Sequence, residues 1–275
     1  MVSFFIILLS VKFIIGDTMY KIISNTLIKN NNYMLEVEAP LLAHSIKPGE
    51  FVIIMVYNMS ERIPMAVYDI NGDNIKILYA VKGASTEELK NAKSIHSLVG
   101  PLGNESHYTF NSELYIDKNV LLLVSGTGIA QVNRISKRLN ELDINNDIYS
   151  VDYSVIDDIS VVYQEELKDL IYKYDSVLTV GSFDFMESIV SICKTLGKEA
   201  RVSLSPLMLD GIGLCGSCRV QVNGETKFAC IDCPEFDGYY VDFESAKKRM
   251  ELFLTEEGKR YLKTIEGEDF MGGTK

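Results

Sequence analysis

Four of the five cysteines fall between positions 215 and 233, as Cys215, Cys218, Cys230 and Cys233. Two C-x-x-C pairs at this spacing offer the soft donors of a metal site, and two chemistries compete for them. Zinc would take all four thiolates in a tetrahedral ribbon-like site. A [2Fe–2S] cluster also needs four ligands, mostly soft. Asp210, five positions ahead of Cys215 in the run L-D-G-I-G-L-C-G-S-C, is a further oxygen donor, although an Asp-Gly turn needs no metal to explain it. Cys233 is open as a ligand or as a free thiol beside the site. Arg219–Val222 and Glu225–Ala229 are strand-like, and the Asn223-Gly224 pair between them is a two-residue hairpin signal. Folding about that turn sets Cys218 nearly opposite Cys230. Cys193 sits among apolar neighbours in an expected helix and reads as buried. His44, His96 and His107 have no ligand-like spacing, His44 and His107 read as surface residues, and no catalytic triad is expected.

Three other places have residues suited to phosphate. Ser125–Ala130 reads S-G-T-G-I-A after the apolar run VLLLV, so a buried strand would end in glycines and enter a helix. Backbone N–H groups and the positive end of the helix dipole would then point at one spot, which suits a pyrophosphate, but any tight strand-to-helix turn favours glycine. Arg62, in E-R-I-P-M-A, stands at the mouth of an expected strand and could pair with phosphate in a bidentate fashion or be an ordinary surface arginine. Gly83-Ala84-Ser85-Thr86 reads as a glycine turn and helix cap, whether or not a ligand uses it.

The elements that must position these residues fall into three groups. From Tyr20 to about Ile77 short strands alternate with turns at Asn30–Asn32, Lys47-Pro48-Gly49 and Asn71-Gly72, the pattern of an antiparallel barrel or sandwich. PMAVYDI and IKILYAV are expected to flank the last of these turns. Beyond Gly100-Pro101-Leu102-Gly103 strands and helices alternate: VLLLVSG, a helix over Ala130–Leu142, NDIYSVDY, a helix near Tyr163–Tyr172, SVLTVG, a helix near Phe183–Leu196, and EARVSL. That order predicts a parallel sheet with crossover helices. The cysteine segment follows, and VDFESAKKRMELFL predicts a C-terminal helix. The fold class is therefore β-barrel plus α/β, divided as an N-terminal extension over 1–18, a barrel over 19–110, an α/β domain over 111–205 and a cysteine-bearing segment with its helix over 206–275.

Composition narrows the partners. The chain has 275 residues with 47% hydrophobic and 24% charged, enough for two domains and a substantial core. A formal charge of −11 argues against a nucleic-acid partner. Clustered cysteines at ligand spacing argue for reduced thiolates and a cytoplasmic location. MVSFFIILLSVKFIIG is apolar, but Lys12 interrupts it short of the roughly 18–20 residues that span a bilayer. It reads as a start assigned too early, with Met19 the alternative initiator, or as an anchor, and no membrane partner is expected.

Taken in order, R-x-P, G-x-S-T, G-P-L-G, G-T-G-I-A, D-G-x-G-x-C-G-x-C-R-V and K-F-A-C-x-D-x-P-E-F-D-G resemble the ferredoxin-reductase superfamily. Within it they resemble the small flavin and iron–sulfur subunit of NADH-dependent ferredoxin–NADP oxidoreductase (sulfide dehydrogenase). The electron-transfer subunit of dihydroorotate dehydrogenase is a related alternative. The resemblance runs from about Met19 to Arg249 and implies FAD on the barrel, NAD(P) on the α/β domain, a [2Fe–2S] cluster and a larger flavoprotein or iron–sulfur oxidoreductase partner. It implies flavin contacts at Arg62, Pro64, Met65, Gly83, Ser85 and Thr86, nucleotide contacts at Gly126, Thr127, Gly128 and Ile129, and cluster ligands Asp210, Cys215, Cys218 and Cys230. Ala66 replaces the family's usual threonine, Gln131 its proline, and Cys233 its glycine. Ser150–Ser176 is shorter than in the family and lacks its nucleotide-lining segments, which leaves open a relay without NAD(P). A zinc-stabilised binding module would leave the barrel motifs unexplained.

Overall fold

The computed structural model describes residues 19–232 and 235–251. The N-terminal extension 1–18, Cys233 and the end of the expected C-terminal helix lie outside the described residues. In the first half, Tyr20–Lys29 (β1) and Asn32–Glu38 (β2) form a hairpin. Asn30 and Asn31 turn it with φ of 46° and 60°, the left-handed values that a tight hairpin requires and asparagine tolerates. The short helix Pro40–Ala43 (α1) leads to Phe51–Met55 (β3) and Ile63–Ala66 (β4). Next come Asp69–Asn71 (β5) and Asn74–Ala80 (β6), the helix Ala84–Asn91 (α2), then Ser94–Ile95 (β7) and Ser97–Leu102 (β8).

These strands form two antiparallel sheets, β5-β6-β2-β1-β7 and β4-β3-β8, and no closed barrel is detected among the described residues. The expected single strand PMAVYDI divides. Ile63–Ala66 pairs with β3, the chain crosses at Val67-Tyr68, and Asp69–Asn71 pairs with β6 in the other sheet. One core joins the two sheets, with Leu35, Val37, Val52, Ile54, Ile75 and Ile77 all 0% exposed.

The short helix His107–Phe110 (α3) connects to the α/β half. Its elements are Val120–Val124 (β9), Ile129–Glu141 (α4), Asn146–Val151 (β10), Ser160–Val162 (β11), Leu167–Tyr172 (α5), Ser176–Val180 (β12), Phe183–Leu196 (α6) and Glu199–Ser203 (β13). Val120, Leu122 and Val124 face one core and Leu121 and Leu123 another, so β9 is buried on both sides, which is why its sequence does not alternate. The hairpin Arg219–Val222 (β14) and Glu225–Phe228 (β15) follows, then Glu235–Asp237 (β16) and a helix over 243–251 (α7). The large sheet runs β11-β10-β9-β12-β13-β16, parallel except for β16 at the edge.

Four strands were not expected from the sequence: β7 and β8, which follow α2, β11, inside the shortened 150–176 stretch, and β16, which returns the chain from the cysteine segment to the sheet. The cysteine segment packs into the α/β core, since Cys218, Val220, Ala229, Cys230 and Phe236 belong to the same cluster as Leu121, Val177 and Val202.

Candidate functional site

Three features face the seam between the halves. The first is a cleft of about 520 Å³. Pro64, Met65, Ala66, Lys82 and Thr86 line it from the first half, with Gly49, Phe51 and Ala80, and Gln131, Leu204, Ser205, Pro206 and Met208 line it from the other. Of the flavin-side residues expected from sequence, Pro64, Met65 and Thr86 reach this cleft. Arg62 is exposed just before β4, and Gly83 and Ser85 are buried at the start of α2, outside the lining. The Ser85 hydroxyl bonds Glu61. The Thr86 hydroxyl accepts from the N–H groups of Lys82 (3.0 Å) and Gly83 (3.1 Å), closing the start of α2.

Gln131 contributes through a contact that its place in the sequence did not foretell. Its side-chain oxygen accepts from Ser203 at 2.6 Å and its amide donates to Ser205 at 2.9 Å, tying the first turn of α4 to the end of β13. Further along α4, Asn133 donates to the Tyr68 carbonyl, Arg134 to those of Ile46 and Lys47, and Lys137 pairs with Asp69 at 2.8 Å. One helix thus clasps both halves.

The second feature is the turn after β9. The chain leaves β9 for β10 and β11 on one side and returns to β12 and β13 on the other, so the sheet order reverses between β9 and β12. In open α/β sheets ligands bind at the carboxyl ends of the strands at such a reversal. Ser125, Gly126, Thr127 and Gly128 lie there, and Ile129 begins α4 with its side chain buried. The Ser125 N–H donates to the Val180 carbonyl at 3.0 Å, and a Cβ on Gly128 would meet that carbonyl oxygen at 2.5 Å. Glycine at 128 is therefore demanded by the close approach of two backbones. Gly126 has φ +57°, and the Tyr153 hydroxyl lies 3.3 Å from where its Cβ would be. Tyr153 and Asp152 follow β10 on the same edge, and Gln164 donates to Asp152 at 2.9 Å.

The third feature is the cysteine loop. Val222 pairs with Glu225 across Asn223-Gly224, and Arg219 with Phe228, as the two-residue turn predicts. The hairpin brings the Cys218 and Cys230 sulfurs to 3.2 Å, both buried. Burial and then the neighbouring Cys218 push the Cys230 thiol up to about 12. Cys215 and Asp210 form the other half of the loop. The Asp210 carboxylate accepts from the N–H groups of Ile212 (3.0 Å), Gly213 (3.2 Å) and Cys215 (2.6 Å). Burial favours the protonated carboxyl, but these donors outweigh it and hold Asp210 below the usual carboxylate range. Cys215 is exposed, and its thiol lies 3.0 Å from the Ser217 hydroxyl. Burial raises that thiol, while the Ser217 hydroxyl and amide bring it below its ordinary value. Gly211, Gly213 and Gly216, at φ +72°, +81° and +65°, let the backbone curl round this space.

Among the described residues no three His, Cys, Asp or Glu side chains converge on one point. Two local contacts are present instead, the Asp210 carboxylate on the Cys215 N–H and the Cys218 sulfur against that of Cys230. A single tetrahedral ion needs four donors about one centre, whereas a two-iron cluster divides four ligands between its irons. The spacing Asp210-x4-Cys215-x2-Cys218 followed by Cys230 is that of the plant-type [2Fe–2S] ligand run with aspartate in its first place. The donor set fits the cluster.

The remaining expectations divide. Cys193 is 0% exposed in α6, and burial pushes its thiol up to about 12. His44 is exposed and bonds Asp73, but His107 is half-buried against the rings of Tyr108 and Tyr115 rather than on the surface. No helix among the described residues is long and apolar enough to cross a membrane.

Comparison with known proteins agrees with this architecture. Residues 205–242 match the iron–sulfur cluster binding domain of dihydroorotate dehydrogenase B. The chain is 32% identical to the dihydroorotate dehydrogenase B (NAD(+)) electron transfer subunit homolog of Thermotoga maritima, over 90% of this chain and 98% of that one. It is 34% identical to an uncharacterized protein in the adh 3′ region of Clostridium beijerinckii, over 90% and 95% of the two chains. Among solved structures, a chain of NADH-dependent reduced ferredoxin–NADP oxidoreductase superposes with a TM-score of 0.78 at 28% identity, covering 91% of this chain and 99% of that one. The chain belongs to the family of dihydroorotate dehydrogenase B electron-transfer subunits and their homologues, electron carriers built on a ferredoxin-reductase-like fold.

Proposed function

We propose that the protein is the cytoplasmic electron-transfer subunit of a larger flavoprotein or iron–sulfur oxidoreductase of the ferredoxin–NADP oxidoreductase (sulfide dehydrogenase) type. FAD occupies the cleft, NAD(P)H docks at the turn after β9, and a [2Fe–2S] cluster is held by Asp210, Cys215, Cys218 and Cys230. One observation carries this reading. The cleft-lining segment Leu204–Met208 runs within two residues into Asp210, and Gly211 packs so closely on β3 and β8 that a Cβ there would lie 2.7 Å from Ile53 and 2.8 Å from Leu102. The cleft and the cysteine loop are two ends of one short, tightly seated segment.

Flavin supplies the conversion between two-electron and one-electron transfer. The chain's own residues supply placement. Pro64, Met65 and Phe51 give an apolar wall for an isoalloxazine ring, Lys82 and Thr86 a polar end to the cleft, and Arg62 a cation for phosphate. Gly83 and Ser85 shape the α2 turn beneath them. At the nucleotide turn, Gly126 and Thr127 present backbone N–H groups, Gly128 closes the turn by donating to the Ser125 carbonyl and lets the backbones approach, and buried Ile129 anchors the helix behind them. From Leu139 to Leu167 the chain has no lysine or arginine, and Asp152 stands at the end of β10. Such an edge suits a ribose hydroxyl and repels a 2′-phosphate, which favours NADH over NADPH. Leu209, Ile212, Leu214 and Ile231, between 47% and 84% exposed, leave apolar surface on the cysteine loop and fit a docked partner.

A relay without nucleotide is the second reading, prompted by the short Ser150–Ser176 stretch. Against it, that stretch adds β11 to the sheet and keeps the edge beside the glycine turn continuous. The test is spectroscopic: purified protein should carry flavin and iron–sulfur absorption, and NADH should bleach the flavin anaerobically. Asp210→Ala should perturb the cluster and Cys233→Ala should not, and the reverse result would move the fourth ligand. A colourless protein with one zinc would sink the proposal, and failure of both nicotinamides to bleach the flavin would favour the relay. An anaerobic pull-down separates a ferredoxin–NADP oxidoreductase partner from a dihydroorotate dehydrogenase partner.

A further inference from the structure

Two arginines reach into the cysteine loop from different elements. Arg219, first residue of β14, donates through Nη1 to the Gly216 carbonyl at 3.2 Å. Arg249, on α7, donates through Nη2 to the Ser217 carbonyl at 3.0 Å. Both carbonyls belong to the two residues between Cys215 and Cys218. The first contact has a further consequence, because the peptide that accepts from Arg219 through its oxygen donates through its nitrogen. The Ser217 N–H points to the Cys215 sulfur at 3.5 Å. A cation on the oxygen of a peptide polarises its N–H and strengthens the bond to sulfur. Arg249 places its charge on the next peptide, between Ser217 and Cys218. It is half-buried, and its helix packs against the loop through Ala246 and Met250 beside Pro206, Leu207 and Val220. No carboxylate among the described residues forms an ion pair with either guanidinium.

We infer that Arg219 and Arg249 are positioning residues that raise the reduction potential of the cluster, by placing two positive charges behind the Cys215–Cys218 loop and, through Arg219, by strengthening the Ser217 N–H bond to the Cys215 sulfur. One electron added to the cluster makes the site more negative, so nearby cations favour the reduced state. Hydrogen bonds to ligand sulfur and net charge around a cluster are known determinants of its potential. The consequence is direction: with the arginines in place the cluster competes better for an electron from the flavin.

The inference rests on the [2Fe–2S] reading proposed above, and one experiment keeps the two apart. Iron and sulfide content and the EPR signal of dithionite-reduced wild-type protein test the reading, and their absence sinks it. The midpoint potential, from an EPR-monitored redox titration, tests the arginines. Arg249→Met should lower the ratio of reduced to oxidised cluster at fixed ambient potential by about tenfold, equal to ~59 mV for a one-electron couple. Arg249→Lys should stay within about twofold of wild type if charge is the main agent. Lys248→Met, on the same helix but paired outward with Glu244, should not move the potential. A loaded Arg249→Met with a wild-type potential overturns the inference, as does an Arg249→Lys that falls as far as the methionine variant. If Arg249→Met fails to retain iron, Arg219→Met at its exposed position reads the same shift, and an unshifted potential there also overturns it. Loss of iron from both methionine variants would make the arginines structural clamps and reject a role in the potential.

Discussion

Gly128→Ala sets two opposite effects against each other at one position. Gly128 has φ −56° and ψ −24°, ordinary helical values that alanine adopts without strain. By propensity alone the substitution should help, by at most ~1 kcal/mol. The space decides otherwise. The new Cβ would sit 2.5 Å from the Val180 oxygen, 3.1 Å from its carbonyl carbon and 3.3 Å from its Cβ. Carbon–oxygen contacts rest at about 3.3 Å or beyond, so the turn or the end of β12 must retreat by roughly 0.8 Å. Neither is a flexible side chain, and the bond from Ser125 N–H to the same oxygen must lengthen with it. Overpacking of this kind costs about 1–3 kcal/mol, so a net loss of about 1–2 kcal/mol should remain, or roughly 2–8 °C in melting temperature. Gly181→Ala is the comparison, because its Cβ would meet side-chain atoms instead of backbone, Phe185 Cδ1 at 2.5 Å and Ser125 Cβ at 3.1 Å, and side chains can shift where the strand carbonyl cannot. Thermal melts followed by circular dichroism measure the stability, and anaerobic flavin reduction by NADH measures the turn. Gly128→Ala should melt lower than Gly181→Ala and require more NADH for the same rate, with bound flavin unchanged. If it melts at or above wild type and is reduced at the wild-type rate, the backbone approach does not constrain the turn and the reasoning fails.

Two further outcomes follow from neighbouring residues. Asp152→Arg, measured as the ratio of NADPH to NADH reduction rates, should move that ratio toward NADPH by about tenfold, the worth of ~1.4 kcal/mol; an unchanged ratio would remove Asp152 from nucleotide selection. His107 is held below its ordinary value of 6.5, by burial first and then by Arg201. Its native ring stays neutral where the unfolded ring already binds a proton, so the unfolded state gains protons first and stability falls as pH drops through 6.5. His107→Phe should remove that part of the acid-side slope in urea melts between pH 7 and 5.5, and an identical slope would count against the assignment.

Local signals were legible where neighbouring residues decide the structure. Asn223-Gly224 sets a turn by itself, and from that turn the meeting of Cys218 and Cys230 follows. VLLLV declares a strand buried on both faces, and Ser125–Gly128 declares the turn after it. The parts that escaped the sequence depend on distant partners. Nothing in PMAVYDI marks Val67-Tyr68 as a crossing, because the switch is set by which sheet each end finds. Glu235–Asp237 is too short to read as a strand until β13 offers its edge. Gln131 looked like a departure from a pattern, and only the folded chain shows it bonded to Ser203 and Ser205. Arg249 sat in an expected helix with no sign that it would reach a carbonyl beside Cys218.

The pairing of Ser203 with Glu235 makes the cysteine segment an excursion between two adjacent strands. The chain leaves the sheet at residue 204 and rejoins it at 235, one strand over, as if a hairpin loop had been enlarged. Lengthening such a loop carries only a slowly growing entropic penalty, so a module of this kind can be gained or lost while the sheet beneath it persists. This topology gives the module its own unit of exchange: grafted between the edge strands of another open α/β sheet, it would bring its ligands with it. It would leave behind the packing of Gly211 on Ile53 and Leu102, and with it the seating against the cleft.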